Sequence, residues 1–372
     1  MKVLQITVHF SPNIGGVETH LWDLVTYLSN KNWSVAVLCY QPLSTISKWK
    51  IIEHHKNLKI FRIPWITGFF YKFISYPVLE FVYLFPGLFI STPVFLLVQN
   101  PDVIHAHGLI AGFAAVFWRK IFRKRIIISS HSMYSFPKKG IYKQFAYFVF
   151  SNADKVLCLS KKSCLEMKNL GLNNNKIEQF TYWINLEKFK KIANAREKFL
   201  WKEKFIILFV GRLVSEKGID VLLDSVKKWN KNIGLMFVGV GPLEQKIIQY
   251  STKYKQIHFV GKMTQDQLPT LYSASDVTIV PSVSEEGFGR VIMESLACGT
   301  PIIGSNRGSI AEAMDQSVGE IIEVSSENIK KTVEYFFKNS DELKSLSENA
   351  VKFAKRRYSD KNAEVITESY TN

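Results

Sequence analysis

Cysteine is scarce in this chain, since only four of its 372 residues are cysteines and no two of them form a C-x-x-C pair. This spacing excludes the common zinc and redox motifs and suggests no disulfide framework. We expect reduced core thiols in a cytosolic protein at Cys39, Cys158, Cys164 and Cys298. No apolar segment ending in a cleavage site follows Met1, so no signal peptide is expected.

Other motifs are missing as well. The chain has no Asp-x-Asp, the usual metal-bridging signature for a diphosphate, and we expect neither a metal nor a cofactor. It has no G-x-G-x-x-G, which argues against dinucleotide binding. With 47% hydrophobic and 22% charged residues, the composition is that of a globular enzyme rather than of a disordered or collagenous chain.

Acidic side chains are few in the N-terminal half. Residues 1–190 contain 23 basic and 9 acidic side chains, a net charge of +14, whereas residues 191–372 contain 25 and 23. The whole chain therefore carries +16. Such an excess predicts an anionic partner, either a nucleic acid or the negative face of a membrane, and composition alone does not choose between them.

Short apolar runs alternate with helical stretches along the chain. Runs of this kind are typical of parallel strands buried on both faces, and they predict strands at 2–8, 33–39, 58–63, 103–107, 125–130, 154–159, 205–210, 234–239, 257–260, 276–280 and 301–304. The rhythm predicts an α/β fold with two doubly wound, Rossmann-like domains and a cleft between them. The charged stretch 186–204 should separate them. We expect an N-terminal domain at 1–190, a second domain at 200–350, and a C-terminal helix at 351–372 that returns to the first domain.

One segment breaks this rhythm. Residues 81–98 contain no charged side chain and follow the aromatic-rich stretch 65–76. Pro86-Gly87 and Pro93 should cut the segment into short pieces, because proline interrupts helices. Three interpretations stay open: a membrane-spanning helix, a buried core helix, and a surface that dips into the membrane interface.

Two turns carry anion-binding features. Gly15 and Gly16 stand between the first strand and a helix, where backbone N–H groups and the helix dipole favour an anion. Arg212 follows the strand 205–210 and Lys217 starts a helix, so two cations should meet at the usual ligand crevice of a parallel sheet. A diphosphate is the natural ligand for this pair. A plain tight turn and two solvated surface cations are the simpler alternatives.

The most informative constellation is PSVSEEGFGRVIMESLACGTP at 281–301. Glu286 lies in a glycine-flanked loop, and Glu294 follows eight residues later, about one turn into a helix that starts near Gly289. The loop amides and the helix N-terminus between them predict an anion site. Because an acid does not bind that anion, each glutamate should bind hydroxyl groups on one side of it, as a sugar nucleotide would require.

These segments, together with PDVIHAH at 101–107 and GVGP at 239–242, resemble glycosyltransferase family 4, retaining enzymes of the GT-B fold. The matching motifs cover most of the chain. The resemblance implies that Glu286 contacts the donor sugar and Glu294 the ribose, while Arg212 and Lys217 hold the diphosphate of a uridine- or guanosine-linked donor. It implies further donor contacts at Gly15, Gly16, Gly261, Lys262, Met263, Gly287, Phe288, Gly289, Arg290 and Val291.

The resemblance also concerns the histidines. His107, at the carboxyl end of its strand, is implied to touch the transferred sugar and joins Glu286, Arg212 and Lys217 as a catalytic candidate. His131 is similar to a family position on the acceptor side. His105 lies deeper in the strand, so we expect a packed core histidine there. In such enzymes the leaving phosphate takes the acceptor proton, so no protein general base is assigned.

A basic and aromatic stretch bears on the acceptor. Eight basic and no acidic side chains lie between Arg119 and Lys143, with aromatic side chains among them. Basic residues beside Trp, Tyr and Phe are typical of a surface that binds an anionic membrane. RNA could use the same composition, and a solvated basic face over core aromatics is the simpler alternative.

The sequence thus predicts a retaining glycosyltransferase, peripherally bound to the cytoplasmic face of a membrane. It should move a hexose or N-acetylhexosamine from a nucleotide sugar to a lipid-linked or cell-envelope glycan acceptor, with no nucleic-acid partner. A nucleotide-sugar epimerase on a related fold and a basic nucleic-acid-binding protein are the alternative functions.

Overall fold

The computed structural model describes residues 1–13, 15–45, 47–68, 76–131 and 134–371. The chain divides into two compact units, called here unit 1 (Met1–Tyr182 with Lys361–Asn372) and unit 2 (Trp183–Asp360). The division falls before the stretch 186–204, which belongs to unit 2 rather than separating the units. Arg196 ties this stretch to its unit by an ion pair with Asp276 (Nη1–Oδ2 2.6 Å).

Among its described residues, unit 1 forms a sheet of eight strands: β1 (Lys2–Thr7), β2 (Ser34–Tyr40), β3 (Ile52–His55), β4 (Leu58–Ile63), β5 (Val103–His107), β6 (Arg125–Ser130), β7 (Lys155–Cys158) and β8 (Ile177–Gln179). Their order in the sheet is β3-β4-β2-β1-β5-β6-β7-β8. Neighbouring strands are parallel apart from the antiparallel pair β3 and β4. The order reverses between β1 and β5, which makes the sheet doubly wound.

The helices of unit 1 are α1 (Gly16–Asn30), α2 (Pro77–Gln99), α3 (Gly108–Phe122), α4 (Ile141–Ser151), α5 (Lys161–Leu170) and, from the C-terminal segment, α13 (Asn362–Thr371). Side chains of β1, β5 and β6 form a core with the inner faces of α2, α3 and α4. All four cysteines are free, and Cys39 and Cys158 are buried in this unit.

Unit 2 forms a sheet whose described strands are β9 (Phe205–Val210), β10 (Ile233–Val238), β11 (Ile257–Gly261), β12 (Val277–Val280), β13 (Ile302–Ser305) and β14 (Gly319–Ile322). The order β11-β10-β9-β12-β13-β14 is parallel throughout. Its helices are α6 (Ile219–Val226), α7 (Glu244–Lys253), α8 (Leu268–Ala274), α9 (Arg290–Ala297), α10 (Ile310–Ala313), α11 (Ser326–Lys338) and α12 (Ser340–Arg357). The predicted α/β fold with two doubly wound sheets is confirmed.

The expectation that prolines cut the segment 81–98 is wrong, because Pro86 and Pro93 both lie inside the continuous helix α2. Side chains from unit 1 bond to main-chain groups of α2 next to the prolines. The hydroxyl of Tyr40 accepts from the Leu88 N–H (3.1 Å) and donates to the Leu84 carbonyl, so it bridges two turns beside Pro86. The indole of Trp118 donates to the Phe89 carbonyl (2.9 Å), which lacks a helical donor because residue 93 is proline.

Helix α2 has a buried face and an open apolar face. Leu84, Leu88 and Leu96 are buried in the core of unit 1. By length and composition alone, Val78–Gln99 could cross a membrane, with a mean hydropathy of 2.1. Only 28% of its apolar window is buried, so α2 contributes one face to the core while its other face is apolar and exposed. Of the aromatic-rich stretch 65–76, residues 69–75 lie outside the described residues.

We expect Tyr40→Phe to lower the free energy of unfolding by about 1–3 kcal/mol, because the Leu88 N–H loses its acceptor inside the core. Gly87 supports this geometry, since a Cβ there would lie 2.4 Å from the Tyr40 hydroxyl. Urea denaturation of the variant beside Tyr147→Phe, an exposed tyrosine on α4, measures the effect. Equal unfolding midpoints for the two variants would contradict the bridging role.

Candidate active site

The order of the strands in unit 2 reverses between β9 and β12, so the loops that follow these strands are neighbours at the carboxyl edge of the sheet. This is the usual ligand site of a doubly wound sheet. The loop after β9 carries Arg212 and Lys217, and the loop after β12 carries Glu286. The two loops touch, since Val283 N–H donates to the Glu216 carbonyl at 3.0 Å.

Lys217 and Glu286 form an ion pair at this switch point. The Lys217 ammonium donates to Oε1 of Glu286, and the Ser282 hydroxyl donates to the same oxygen. The two charged side chains are only 25% and 12% exposed. Arg212, by contrast, is exposed just beyond the end of β9. A cation and a carboxylate are thus held together beside a second, accessible cation.

Gly218 allows the close approach of the two loops. Its φ of +73° lies in the left-handed region, and a Cβ at this position would stand 1.9 Å from the Pro281 carbonyl oxygen. Any other residue would push the Lys217 loop away from the Glu286 loop. The glycine in the motif therefore sets the distance between the two charges.

Glu294 is buried in α9, where both of its carboxylate oxygens are bonded. Oε1 accepts from Nε of Arg290 and Oε2 accepts from the hydroxyl of Tyr272, each at 3.1 Å. Burial, followed by the charge of Glu294, raises the pKa of Tyr272 well above its usual range. A ribose hydroxyl at Glu294 would have to share one of these oxygens with Arg290 or Tyr272.

The N-terminus of α9, which follows the Glu286 loop, presents backbone donors. Gly289 caps the helix, and Arg290 and Val291 are its first residues, whose N–H groups have no carbonyl in a preceding helical turn. The side chain of Phe288 is 1% exposed and packs edge-on against Tyr358, with ring centroids 6.1 Å apart. Phe288 therefore supports the loop from within the core, and its own contact to a ligand would be through the main chain.

The remaining predicted donor residues of unit 2 lie at the same edge of the sheet. Gly287 is partly exposed in the loop between Glu286 and α9. Gly261 ends β11, and its carbonyl accepts from the Gly239 N–H at 2.8 Å. Lys262 and Met263 follow it, and the Lys262 side chain is exposed. Since β11 is the outermost strand on its side, these residues lie two strands away from Arg212.

Unit 1 has its own switch point, between β1 and β5. Gly15 precedes α1, and Gly16 is the first residue of this helix. A Cβ at Gly16 would meet no atom within 4 Å, so space is open beside the helix N-terminus. His107 ends β5 opposite Thr7, and His131 directly follows β6. The predicted residues of unit 1 thus also collect at a carboxyl edge.

A directed chain of hydrogen bonds runs through His107. The Gln5 amide N–H donates to the Tyr370 hydroxyl (3.1 Å), so its carbonyl oxygen faces Nε2 of His107 (2.6 Å), which must carry the proton. Nδ1 of His107 then accepts from Nε2 of His131 (2.9 Å), and Nδ1 of His131 accepts from the Tyr182 hydroxyl (2.8 Å). Both ring nitrogens of His107 are therefore bonded within unit 1.

Burial keeps the two histidines of this hydrogen-bonded series, His107 and His131, in the neutral form. Burial lowers the pKa of His107 well below its usual range, and the neighbouring rings of His105, His131 and His20 lower it further. Burial lowers the pKa of His131 to about 3. His105 is a packed core histidine, as expected, bonded to Tyr370 and Ser129 at 2.7 Å each, and its pKa is lowered chiefly by burial.

The sequence did not single out several partners of these groups. Ser282 bonds to Glu286 and Tyr272 to Glu294, while Gln5 bonds to His107 and is itself bonded to Tyr370. Gln5 could have been noticed in the sequence, because it is a polar residue inside the otherwise apolar centre of strand β1. In the described part of the chain, no group of three or more His, Cys, Asp or Glu side chains is arranged to hold a metal ion.

Two doubly wound sheets, each with polar residues gathered at its switch point, define a protein of the GT-B class. The family model described as Glycosyltransferase Family 4 matches residues 14–188, and that described as Glycosyl transferases group 1 matches residues 191–353. The chain belongs to glycosyltransferase family 4, as the motifs predicted, and it is a glycosyltransferase.

Relatives with and without solved structures agree with this assignment. An uncharacterized glycosyltransferase of Methanocaldococcus jannaschii is 27% identical, over 96% of this chain and 94% of its own. The phosphatidylinositol N-acetylglucosaminyltransferase GPI3 subunit of Saccharomyces cerevisiae is 24% identical, over 82% of this chain and 68% of its own. Sucrose-phosphate synthase of Thermosynechococcus elongatus shares the fold (TM-score 0.84, 20% identity, 100% and 98% coverage). So does Anabaena HepE in complex with UDP (TM-score 0.80, 19% identity, 100% coverage of both chains).

Proposed function

We propose that the chain is a retaining enzyme that moves a hexose or an N-acetylhexosamine from a uridine or guanosine diphosphate sugar to a lipid-linked or cell-envelope glycan acceptor. The reaction would take place at the cytoplasmic face of a membrane. The observation that carries the proposal is the Lys217–Glu286 pair beside Arg212 at the switch point of unit 2. Cations next to a carboxylate suit a ligand that combines phosphates with hydroxyl groups.

The donor roles follow from charge. Arg212 and Lys217 would hold the diphosphate, assisted by the N-terminal amides of α9. Glu286 would accept hydrogen bonds from sugar hydroxyls, and Glu294 would accept one from the ribose. Structures of Anabaena HepE, in complex with UDP and with UDP-glucose, support a nucleotide-sugar donor for this fold.

The proposed step needs no base from the protein. The bond from the anomeric carbon to the diphosphate oxygen breaks, and a bond from that carbon to the acceptor oxygen forms on the same face. The acceptor proton passes to the leaving diphosphate, whose charge Arg212 and Lys217 stabilise without a metal or cofactor. His107 would contact the sugar by position only, because its ring nitrogens are both bonded to Gln5 and His131.

The outer surface of unit 1 supports a membrane-bound acceptor. Helices α2, α3 and α4 pack side by side. On α2 the exposed side chains form a stripe at helical spacing, each more than half exposed: Val78, Val82, Ile90, Val94, Leu97 and Val98. Phe117 and Ile121 of α3 and Ile141 of α4 add exposed apolar area. An apolar surface of this kind on a basic unit suits an anionic lipid interface.

Activity assays test the proposal. We expect the purified chain to release UDP or GDP from one sugar nucleotide only when a lipid-linked acceptor is added. A thermal-shift panel of sugar nucleotides would first identify the donor, since a ligand at about 100 times its Kd stabilises by about 2.7 kcal/mol. Conversion of the donor sugar without an acceptor would instead identify an epimerase. Salt-sensitive RNA binding without any nucleotide-sugar binding would identify a nucleic-acid-binding protein.

A further inference from the structure

A basic cavity lies in unit 1, at the end of α3 remote from His107. Its volume is about 600 Å³, and six of its lining residues are cations: Arg119, Lys120, Arg123, Lys124, Arg125 and Lys176. Asp154 is the one carboxylate in the lining. Because α3 has 15 residues and starts directly after His107, the cavity is about 22 Å from the carboxyl edge of the sheet.

The wall of the cavity is built by hydrogen bonds. Arg119 binds both the Asn152 carbonyl and the Asp154 carboxylate, while the other Asp154 oxygen accepts from the Ile126 N–H at 2.8 Å. Lys176 donates to the carbonyls of residues 151 and 153 at 2.7 and 2.9 Å. The stretch that joins α4 to β7 is thus held between an arginine of α3 and a lysine from a different part of the chain.

The positive charge of this cavity is not balanced within the unit. Lys124 donates to the side-chain oxygen of Asn100 (2.8 Å) and Arg125 to the Ser369 carbonyl (3.1 Å), both neutral acceptors. Across the described ranges, the side chains of Lys120 and Arg123 take part in no hydrogen bond or ion pair, and both are exposed. Six cations around one carboxylate repel one another, and a multiply charged anion would relieve this repulsion.

The cavity adjoins the apolar surface of unit 1. Asn100, which binds Lys124, caps the C-terminal end of α2, two residues after the exposed Val98. Ile121 of α3 is exposed next to Lys120. A ligand with a phosphate in the cavity and apolar chains along α2 would satisfy both surfaces.

We propose that this cavity binds the phosphate-bearing headgroup of an anionic phospholipid, separate from the donor and acceptor sites. The inference rests on the proposed function for the membrane as the source of the phosphate. Lys120 and Arg123 supply the free charge, and Arg119 and Lys176 fix the wall. The site would hold the C-terminal ends of α2 and α3 on the bilayer, while the transfer reaction would take place at the carboxyl edge of the sheet.

Vesicle binding by the full chain tests the site, with phosphatidylcholine vesicles compared with vesicles that also contain phosphatidylglycerol. We expect Lys120→Gln with Arg123→Gln to weaken binding to the anionic vesicles about 30-fold, from two cations at the interface. The matched control, Lys138→Gln with Lys139→Gln, removes the same charge near the other end of α4 and should lose clearly less. Ser151→Phe places a bulky side chain in the lining of the cavity without a change in charge and should also weaken binding.

Three results would overturn the proposal. Equal losses in the two double variants would mean that the surface acts only through its net charge. Wild-type binding by Ser151→Phe, in a variant with an unchanged melting temperature, would mean that the cavity is not used. Calorimetric binding of inorganic phosphate that requires Lys120 and Arg123, with vesicle binding equal in all variants, would make the ligand a soluble phosphate.

The test separates this inference from the proposed function. If the wild-type chain glycosylates a lipid-linked acceptor and binds anionic vesicles while the cavity variants behave as wild type, only the cavity assignment fails. If the wild-type chain binds neither kind of vesicle and transfers nothing to a lipid acceptor, the proposed membrane function fails.

Discussion

Replacement of Lys217 by alanine is expected to lower kcat about 100- to 1,000-fold, with Glu286→Ala of similar size, because each removes a charged contact to the donor as the diphosphate departs. The two side chains are bonded to each other and only partly exposed, so each variant changes the position of the other group as well. Steady-state transfer assays, with circular dichroism to confirm folding, measure both variants.

The chain offers a matched control for this experiment. Lys227 forms an ion pair with Asp224 (Nζ–Oδ1 2.6 Å) in the same unit, and both side chains are exposed. Lys227→Ala should leave kcat unchanged, since exposed pairs contribute little and Lys227 lies at the C-terminal end of α6, away from the switch point. Wild-type turnover by folded Lys217→Ala or Glu286→Ala would contradict the assignment of the donor site.

The free energy of unfolding of unit 1 should fall steeply as the pH is lowered below 6.5. The pKa values of His105, His107 and His131 are all lowered by burial, so the folded chain keeps these rings neutral while the unfolded chain protonates them below pH 6.5. Their stabilisation is therefore full above pH 6.5 and is lost as the pH falls. Each buried histidine lowers the free energy of unfolding by about 1.4 kcal/mol for each pH unit below 6.5. The three together therefore lower it by about 4 kcal/mol between pH 6 and 5.

Single substitutions isolate this effect. His105→Asn should reduce the slope of unfolding free energy against pH by about 1.4 kcal/mol per pH unit, whereas Tyr40→Phe, which also lowers stability but removes no histidine, should leave the slope unchanged. Urea titrations across this pH range give both slopes. Equal slopes for the two variants would show that His105 becomes protonated within the folded chain.

Apolar patterning was enough to predict the centre of each sheet. All eleven predicted strands are present, and the three that were missed, β3, β8 and β14, are edge strands. An edge strand is covered on fewer sides, so its residues need not be apolar; all the residues of β8 are only partly buried. The proline rule failed in α2 because side chains from elsewhere in the fold support the helix. Trp118 bonds the Phe89 carbonyl, which Pro93 leaves without a donor, and Tyr40 bridges the Leu88 N–H and the Leu84 carbonyl on either side of Pro86.

In the candidate site, too, the residues in local motifs were predicted, and their bonds to distant residues were not. Lys217 and Glu286 stand in compact motifs next to glycines, so local sequence pointed to them, and the structure brings them together. The hydrogen bonds that hold His107 could not be predicted in this way, because they join distant residues: Gln5 bonds to His107 across 102 residues and to Tyr370 across 365. The side-chain bond of Arg290 was not predicted either: its Nε donates to the buried Glu294 one turn later in α9.

The bond between Gln5 and Tyr370 has a consequence for biosynthesis. Tyr370 lies in α13, which the ribosome makes only after the whole of unit 2, although α13 belongs to unit 1. Domains generally fold in the order of their synthesis, but here the first unit to emerge must wait for the last helix. His105 and Gln5 therefore remain without their tyrosine while unit 2 is translated, and the nascent N-terminal unit is the one most exposed to misfolding.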